Sequence, residues 1–191
     1  MTATFRMIGA AALSGALLMT PASSGAQAAA EVFTATASAK TAAGAAATAP
    51  VTITIDRKMS AGEAEAVIAA FTSGGAPALR KALAASAATG SVQLGSGPVT
   101  PTRFTLERTT GAGRLLTIVT DRPLLFLGAG AADAKPKEGY DFAVIDIEVD
   151  AKGSGSGTLA PAARLRVNQG ALVVDDYGVE GVRLTAVRKT K

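Results

Sequence analysis

Three carboxylates alternate along one segment and are the best candidates in the chain for acid–base or metal chemistry. Asp146, Glu148 and Asp150 occupy every second position of an otherwise apolar run. In a β-strand such residues project from one face, with neighbouring members about 7 Å apart. That arrangement suits a calcium site or the acid–base pair of a glycoside hydrolase. The alternative, which we favour, is the solvent face of an amphipathic strand.

Two arginines further along offer partners for these acids. If the glycine-rich residues 153–157 form the loop of a hairpin, Arg164 and Arg166 fall on the neighbouring strand and on the same face as Asp146. Cross-strand ion pairs of this kind are common on sheet surfaces and contribute little energy. We therefore predict surface ion pairs here rather than a catalytic pair.

Two shorter acidic segments have a similar double interpretation. Asp175-Asp176-Tyr177 could supply carboxylates to a metal, but an Asp-rich turn before Gly178 is the commoner use of such residues. Asp121 is expected to cap a turn whose geometry Pro123 fixes. Arg122 remains open as an anion clamp.

A glycine-rich segment raises the question of a nucleotide site. Residues 123–133 read PLLFLGAGAAD, an apolar run that ends in Gly128-Ala129-Gly130. A dinucleotide loop needs G-x-G-x-x-G between a strand and a helix. Here the last position is Asp133, which would repel phosphate, and Pro136 follows without any helical pattern. We predict an apolar strand that leaves the core through an exposed loop over residues 128–139.

The absence of His and Cys closes several further kinds of chemistry. Ser–His and Cys–His catalysis, thiolate or imidazole metal ligation and disulfide bonds all require one of these residues. No Ser-x-x-Lys occurs on a predicted helix of the mature chain, and Ser60 is better used as a helix cap. We therefore predict no catalytic, metal or cofactor-binding residue and no cofactor.

Charge and aromatic content argue against a nucleic-acid partner. The chain has 19 Lys and Arg against 15 Asp and Glu, and only Arg6 lies in the leader described below. Nucleic-acid binders normally combine a dense basic patch with interleaved aromatics. Trp is absent, and seven aromatics remain beyond the leader. They are Phe33, Phe71, Phe104, Phe126, Tyr140, Phe142 and Tyr177.

The first 30 residues have the pattern of a secretory signal peptide. A short segment with Arg6 precedes an uncharged apolar run, and Ala26-Gln27-Ala28 forms an A-x-A cleavage site. Cleavage is equally compatible with Ala28 and Ala30 as the last residue removed. A cysteine-linked lipid anchor is excluded because the chain has no Cys. We expect export to the periplasm or the extracellular space, with no membrane span in the mature chain.

The remaining pattern predicts an α+β domain. Period-two alternation dominates residues 31–191, which we assign to one domain with a flexible loop around residues 40–50. We predict a mainly antiparallel, curled β-sheet, as a barrel or sandwich, with one helical hairpin near residues 60–88. The predicted strands cover residues 31–39, 51–55, 91–95, 102–110, 114–121, 124–127, 140–149, 158–168, 171–175 and 181–188.

The helical hairpin has clear boundary signals. Ser60 and Glu63 form an S-x-x-E capping box, Gly74-Gly75 should end the first helix, and Pro77 suits the first turn of a second. A group of apolar residues would face the sheet, either as plain core, which we favour, or around a small apolar ligand. The group consists of Val67, Ile68, Phe71, Leu79 and Leu83.

Four longer motifs carry a resemblance. They are TDRPLLFLGAG, YDFAVIDIEVD, GSGTLAPAARLRV and VVDDYGVEGVRL, and the resemblance extends from about Val51 to Val187, including the helical pair. In these the chain resembles a family of exported bacterial proteins of acidobacterial and related genomes, a family without an assigned activity. The resemblance implies export and a shared domain, and it transfers no functional residue.

These observations favour an exported, non-catalytic binding or structural module that binds a small apolar ligand or a protein. The alternative is a carboxylate-based hydrolase acting outside the cytoplasm, with Asp146, Glu148 and Asp175 as its candidate residues. A third hypothesis is a subunit that adds a strand to a partner's sheet edge.

Overall fold

A computed structural model describes residues 29–40, 46–124, 126, 138–176 and 181–191. Most of the predicted leader and most of the predicted loop over residues 128–139 lie outside these ranges. The described chain contains one helical element, α1 (Ala61–Ala85), and nine strands. The strands are β1 (Glu31–Lys40), β2 (Ala46–Ile55), β3 (Gly90–Leu94), β4 (Thr100–Thr110), β5 (Gly113–Thr120), β6 (Phe142–Val149), β7 (Ser154–Asn168), β8 (Ala171–Asp176) and β9 (Val182–Lys189).

The strands close into an eight-stranded antiparallel barrel. Neighbouring strands run from β1 to β6 in chain order, β6 pairs with β7, β7 pairs with β9, and β9 pairs with β1. β8 pairs with the far half of β7 and stands outside this ring. The prediction of a curled antiparallel sheet with a helical insertion is confirmed in its barrel form.

Side chains fill the interior of the barrel, as they do in other barrels of this strand number. Alternate residues of every barrel strand but β4 point inward and form one apolar cluster. Leu124 and Phe126 join this cluster from the segment after β5. Of the predicted strand over residues 124–127, Leu124 has no regular structure and Phe126 makes a single bridge, while residues 125 and 127 lie outside the described ranges.

α1 lies on the outside of the barrel. Leu79 and Leu83 are 0% exposed and belong to a second apolar cluster with Phe104 and Phe142 on the outer faces of β4 and β6. Val67 is also buried there, and Ile68 and Phe71 are packed against its edge. Val67, Leu79 and Leu83 are therefore core residues, and Ile68 and Phe71 lie at the edge of that core.

The prediction of a helical hairpin made of two separate helices is corrected to one kinked element. Only Gly75 leaves helical geometry (φ 63°, ψ −156°), because glycine adopts that conformation without a Cβ clash. The kink brings both ends of α1 together: Arg57 donates to the Glu63 carboxylate at its start and to the Ala87 carbonyl beyond its end. The capping box of Ser60 and Glu63 is confirmed. Over the described ranges, no helix combines the length and apolarity needed to cross a membrane.

Two segments that were predicted to be loops are strand. Residues 46–50 belong to β2 and pair with the end of β1, since a backbone ladder needs no large side chain. The glycine-rich residues 154–157 are the first part of β7 and pair with β6. Only Gly153 belongs to the connecting turn, where its φ is 78°. This second correction decides where the arginines of β7 lie.

Candidate functional site

The three alternating carboxylates face outward, but they do not form one site. Ile145 and Ile147 point into the barrel, so Asp146 and Glu148 project from its outer surface. Asp150 lies past the end of β6 and accepts the N–H groups of Lys152 (2.8 Å) and Ser154 (2.9 Å), which caps the turn. Neither Asp146 nor Glu148 lines the surface depression described below. The favoured interpretation, a solvent-side strand face, agrees with this placement.

The predicted ion pairs between Asp146 and the arginines of β7 are wrong. Because β7 begins at Ser154, Asp146 faces Thr158, six residues before Arg164. Arg164 instead binds Asp175 on β8, with 3.0 Å between Nε and Oδ2. Residues 175 and 176 are therefore strand residues rather than turn residues, and they lie far from Asp146 along β7.

The other charged residues near Arg164 also bind partners within the chain. Arg166 pairs with Asp175, and the Tyr140 hydroxyl donates to Asp176 over 2.5 Å. Arg122 Nε donates to Asp121 over 2.9 Å, so the proposed anion clamp is already occupied by its neighbour. In the described part of the chain, no three acidic side chains are grouped closely enough to hold a metal ion.

Among the three alternating carboxylates, Asp146 has a pKa that burial raises above the usual range. A hydrogen bond from Thr117 (2.7 Å) and the nearby Arg108 act on this pKa in the opposite direction. A carboxyl group whose pKa is raised on folding favours the folded state when protonated and disfavours it when ionised.

We expect Asp146→Asn to stabilise the protein at neutral pH. The amide keeps an acceptor for Thr117 and removes a half-buried charge, so a gain on the order of 1 kcal/mol is expected at pH 7. The gain should disappear as the pH falls below the unfolded carboxyl pKa, where both side chains are neutral. Thermal melts at pH 7 and pH 3 test this, with Glu148→Gln on the same strand as the control. A lower melting temperature of Asp146→Asn at pH 7 would contradict it.

A network of five charges closes one end of the barrel. Glu31 is its centre and receives Arg114 (2.6 Å), Lys58 (2.8 Å) and Lys189 (3.2 Å). Glu107 joins Lys58 (2.6 Å) and Arg114 (2.9 Å). The Arg114 guanidinium also lies 5.8 Å from the centre of the inward-facing Phe33 ring. We call these five residues the plug cluster.

The cations of the plug cluster lower the pKa values of its two carboxyl groups. The hydrogen bond from Arg114 lowers the pKa of Glu31 far below its usual range, with Lys58 and Lys189 adding to the effect. Burial alone would raise the pKa of Glu107, but Lys58 and Arg114 lower it. Since every carboxylate here is already held by cations, the cluster is a structural closure rather than a free binding site.

The wall of the barrel that α1 leaves uncovered has a different character. On β3, β2, β1 and β9 the inward positions are apolar, and the outward positions carry short hydroxyl side chains with two arginines. No carboxylate occupies an outward position on residues 32–38, 48–54, 91–93 or 183–188. We call this surface the hydroxyl face. It consists of Thr34, Thr36, Ser38, Thr48, Pro50, Thr52, Thr54, Ser91, Gln93, Arg183, Thr185 and Arg188.

The strand register aligns these side chains in rows. Thr34 is opposite Thr52 on β2 and opposite Arg188 on β9, while Ser38 is opposite Arg183. Directly opposite residues of an antiparallel pair lie about 5 Å apart and share a face. The two arginines therefore stand at the two ends of the hydroxyl row of β1.

A bulge in β9 puts both arginines on this face. Arg183 and Arg188 are five positions apart, so in a regular strand they would point to opposite sides. The register slips between Thr34 and Thr36, and Ala186 has a φ of 51° at that point. A positive φ is unfavourable for alanine, and bulges commonly redirect a side chain.

A depression lies at the Arg183 end of the hydroxyl face. It has a volume of about 440 Å³ and opens between the end of the β1–β2 hairpin and the start of β9. Its polar lining comes from Arg183, Ser38 and Thr48, and the rest is alanine and glycine. An anionic group could enter it without meeting a carboxylate of the lining.

The hydroxyl face has only a weak signal in the sequence. That signal is the repeated T-x-T of Thr34 with Thr36 and of Thr52 with Thr54, which by itself indicates strand alternation only. The spacing alone does not reveal that the two motifs are adjacent. The contribution of Arg188 depends on the bulge, which no residue type in β9 announces.

The described chain is thus a closed eight-stranded antiparallel barrel with one external helical element. Comparison of the chain with protein-family models, curated proteins and solved structures finds no match in any of the three. The features of the chain that bear on its function are therefore those of its own surface.

Proposed function

We propose that this chain is an exported, non-catalytic binding module that engages its partner through the hydroxyl face. Export rests on the signal-peptide pattern of the first 30 residues and on the motifs that resemble a family of exported bacterial proteins. Determination of the N-terminus of the protein isolated from the periplasm or medium tests it: a first residue at Ala29 or Glu31 agrees, and an intact Met1 does not.

The observation that carries the proposal is the contrast between the two sides of the barrel. Outward positions of β4 and β6 are buried under α1, as at Phe104 and Phe142, or carry acids, as at Asp146 and Glu148. The hydroxyl face has no such cover, and its Thr34, Thr36 and Thr52 are exposed. Hydroxyl groups both donate and accept hydrogen bonds, so a regular array of them suits a polar, hydrogen-bonding partner.

The carboxylate-based hydrolase is the weaker alternative. Asp146 and Glu148 are close enough for glycoside chemistry in principle, since successive outward positions of a strand are about 7 Å apart. They stand on a convex outer surface, however, and Asp175 is held elsewhere by Arg164. Hydrolysis of chromogenic glycosides by the wild type, lost in Asp146→Asn, would favour the hydrolase over the binding module.

We expect the double variant Thr34→Val/Thr36→Val to bind its partner about tenfold more weakly without loss of stability. Valine keeps the shape and the β-propensity of threonine and removes two hydroxyls from the central row. Binding is measured on an array of immobilised polysaccharides and proteins, with melting temperatures in parallel.

Thr109→Val is the matched control, because Thr109 is an exposed threonine of β4 outside the hydroxyl face. If the wild type binds an immobilised partner and both threonine variants bind it equally well, the hydroxyl face is not the binding surface.

A further inference from the structure

We infer that the hydroxyl face binds an acidic polysaccharide, with Arg183 and Arg188 holding two anionic groups and the hydroxyl rows contacting the sugar hydroxyls between them. This inference rests on the proposed function and adds the chemical class of its partner. Four features of the described residues support it: the spacing of the arginines, their lack of partners, the bulge that places them, and the chemistry of the surface between them.

The arginines are spaced for an extended ligand. Arg188 and Arg183 are opposite Thr34 and Ser38, which are four residues apart on β1. A strand advances about 3.4 Å per residue, so the two positions are separated by about 14 Å. That distance is too long for one small anion and suits an oligomer with repeated charges. The row of Thr34, Thr36 and Ser38 runs between the two cations.

The same two arginines are available for a ligand. Within the described residues, seven arginines form ion pairs: Arg57, Arg80, Arg103, Arg114, Arg122, Arg164 and Arg166. Arg108 forms none, but it lies close enough to Asp146 to lower the pKa of that carboxyl. Arg183 and Arg188 form none with any described carboxylate, and both are exposed. Guanidinium groups bind carboxylate and sulfate groups through two parallel hydrogen bonds, so unpaired arginines on a carboxylate-free face are complementary to an anionic partner.

The bulge adds an independent argument. If β9 ran through Ala186 as a regular strand, Arg188 would point into the barrel and Val187 would point out, whereas Val187 is buried at 1% exposure. A non-glycine residue with positive φ is conformationally strained, and such residues persist where the surrounding structure requires them. Here the strained residue brings the second arginine to the same face as the first.

The surface between the arginines favours a glycan over other polyanions. Membrane surfaces are bound by dense Lys and Arg clusters together with inserted apolar side chains. In the described chain Val99, between β3 and β4, is the one large hydrophobic residue that is highly exposed, and it is not on the hydroxyl face. Single-stranded nucleic acids require aromatic stacking platforms, and this face has no aromatic residue. Hydroxyl rows match the hydroxyl-rich surface of a sugar chain.

The depression beside Arg183 gives one anionic group a defined place. Ser38 and Thr48 line it together with the arginine, so hydroxyl and guanidinium donors converge on the same 440 Å³ space. Arg188, at the other end of the row, lies on the open surface. The proposal therefore predicts unequal contributions, with Arg183→Gln weakening binding more than Arg188→Gln.

Affinity electrophoresis and calorimetry of the mature chain test the inference. The probes are polygalacturonate and heparin as acidic polymers, dextran as a neutral polymer, phosphatidylglycerol vesicles and single-stranded DNA. We expect the wild type to bind an acidic polymer, not dextran, with an affinity that falls as salt is raised. Arg183→Gln/Arg188→Gln should weaken this binding about tenfold or more at unchanged melting temperature. Lys81→Gln, which removes one exposed cation of α1, should leave it unchanged.

The outcomes separate this inference from the proposed function. If the wild type binds dextran, and the threonine variants weaken this binding while the arginine variants do not, the hydroxyl face is the binding surface but its partner is not acidic. If the vesicles or DNA bind as tightly as the acidic polysaccharides or more tightly, the inference that the partner is a glycan is wrong. If the wild type and both sets of variants bind an acidic polymer equally well, the hydroxyl face is not the binding surface, and both the proposed function and this inference are wrong.

Discussion

Replacing Glu31 with glutamine is expected to destabilise the protein at pH 7 by about 2–4 kcal/mol. The Glu31 side chain is only 14% exposed and accepts hydrogen bonds from Arg114 and Lys58, with Lys189 at 3.2 Å. The neutral amide would leave Glu107 as the one carboxylate of the plug cluster, in contact with Lys58 and Arg114, and would leave Lys189 without a counter-charge there. Removing one member of a buried ion pair typically costs 3–5 kcal/mol because its partner stays buried and uncompensated. Partial exposure of the plug cluster lowers that figure somewhat.

The effect should depend on pH in a defined direction. The pKa of Glu31 is lowered in the folded state by the hydrogen bond from Arg114, so its stabilising contribution is present above the unfolded glutamate pKa and is lost as the pH falls through the folded value. Urea unfolding at pH 7 and at pH 3 should therefore show a smaller difference between wild type and Glu31→Gln at pH 3. Glu65→Gln, an exposed glutamate on α1, serves as the control. Equal stability of Glu31→Gln and wild type at pH 7 would contradict a stabilising plug cluster.

Much of the barrel could be predicted from local pattern. The period-two pattern of Ala143, Ile145, Ile147 and Val149, with Asp146 and Glu148 on the other face, predicts the inward face of β6 correctly. The capping box at Ser60 likewise fixed the start of α1. Such features depend on neighbours within a few residues, which a sequence displays directly.

Features that depend on register could not be predicted in this way. The glycine-rich start of β7 has the composition of a loop, yet backbone pairing with β6 makes it a strand and moves Arg164 away from Asp146. A shift of this kind changes every cross-strand partner. The paired T-x-T motifs of the hydroxyl face and the bulge at Ala186 likewise became visible only when β1 was placed between β2 and β9.

The two ends of the barrel are closed by different means, and this leaves the hydroxyl face as the open surface. Glu31 and its cations close one end, while the apolar side chains of Leu124 and Phe126 join the interior cluster from the segment after β5. α1 covers one side of the outer wall. The charged side chains of the plug cluster bind one another, whereas Arg183 and Arg188 have no ion-pair partner among the described residues. An external partner therefore gains the most new ion pairs on the hydroxyl face.

Gly155→Ala is expected to be the most damaging single change in β7, with a loss of about 2–4 kcal/mol or a failure to fold. A Cβ at this position would overlap the backbone carbonyl of Glu148 on β6, so the clash cannot be relieved by a rotamer change. Gly155 pairs with Val149 and lies beside the register shift between β7 and β9. Overpacking usually costs 1–3 kcal/mol even where side chains can move, and glycine within a strand often marks such a close backbone approach.

The matched control is Gly111→Ala in the turn between β4 and β5, where an added Cβ meets nothing within 4 Å. That variant should stay within about 0.5 kcal/mol of the wild type. Urea unfolding and amide hydrogen exchange measure the comparison, and the loss of protection in Gly155→Ala should centre on β6 and β7. Were residues 154–157 a flexible hairpin loop, both alanine variants would be equally harmless. The pair of variants therefore tests directly whether this glycine-rich segment is strand or loop, and with it the register that separates Asp146 from Arg164.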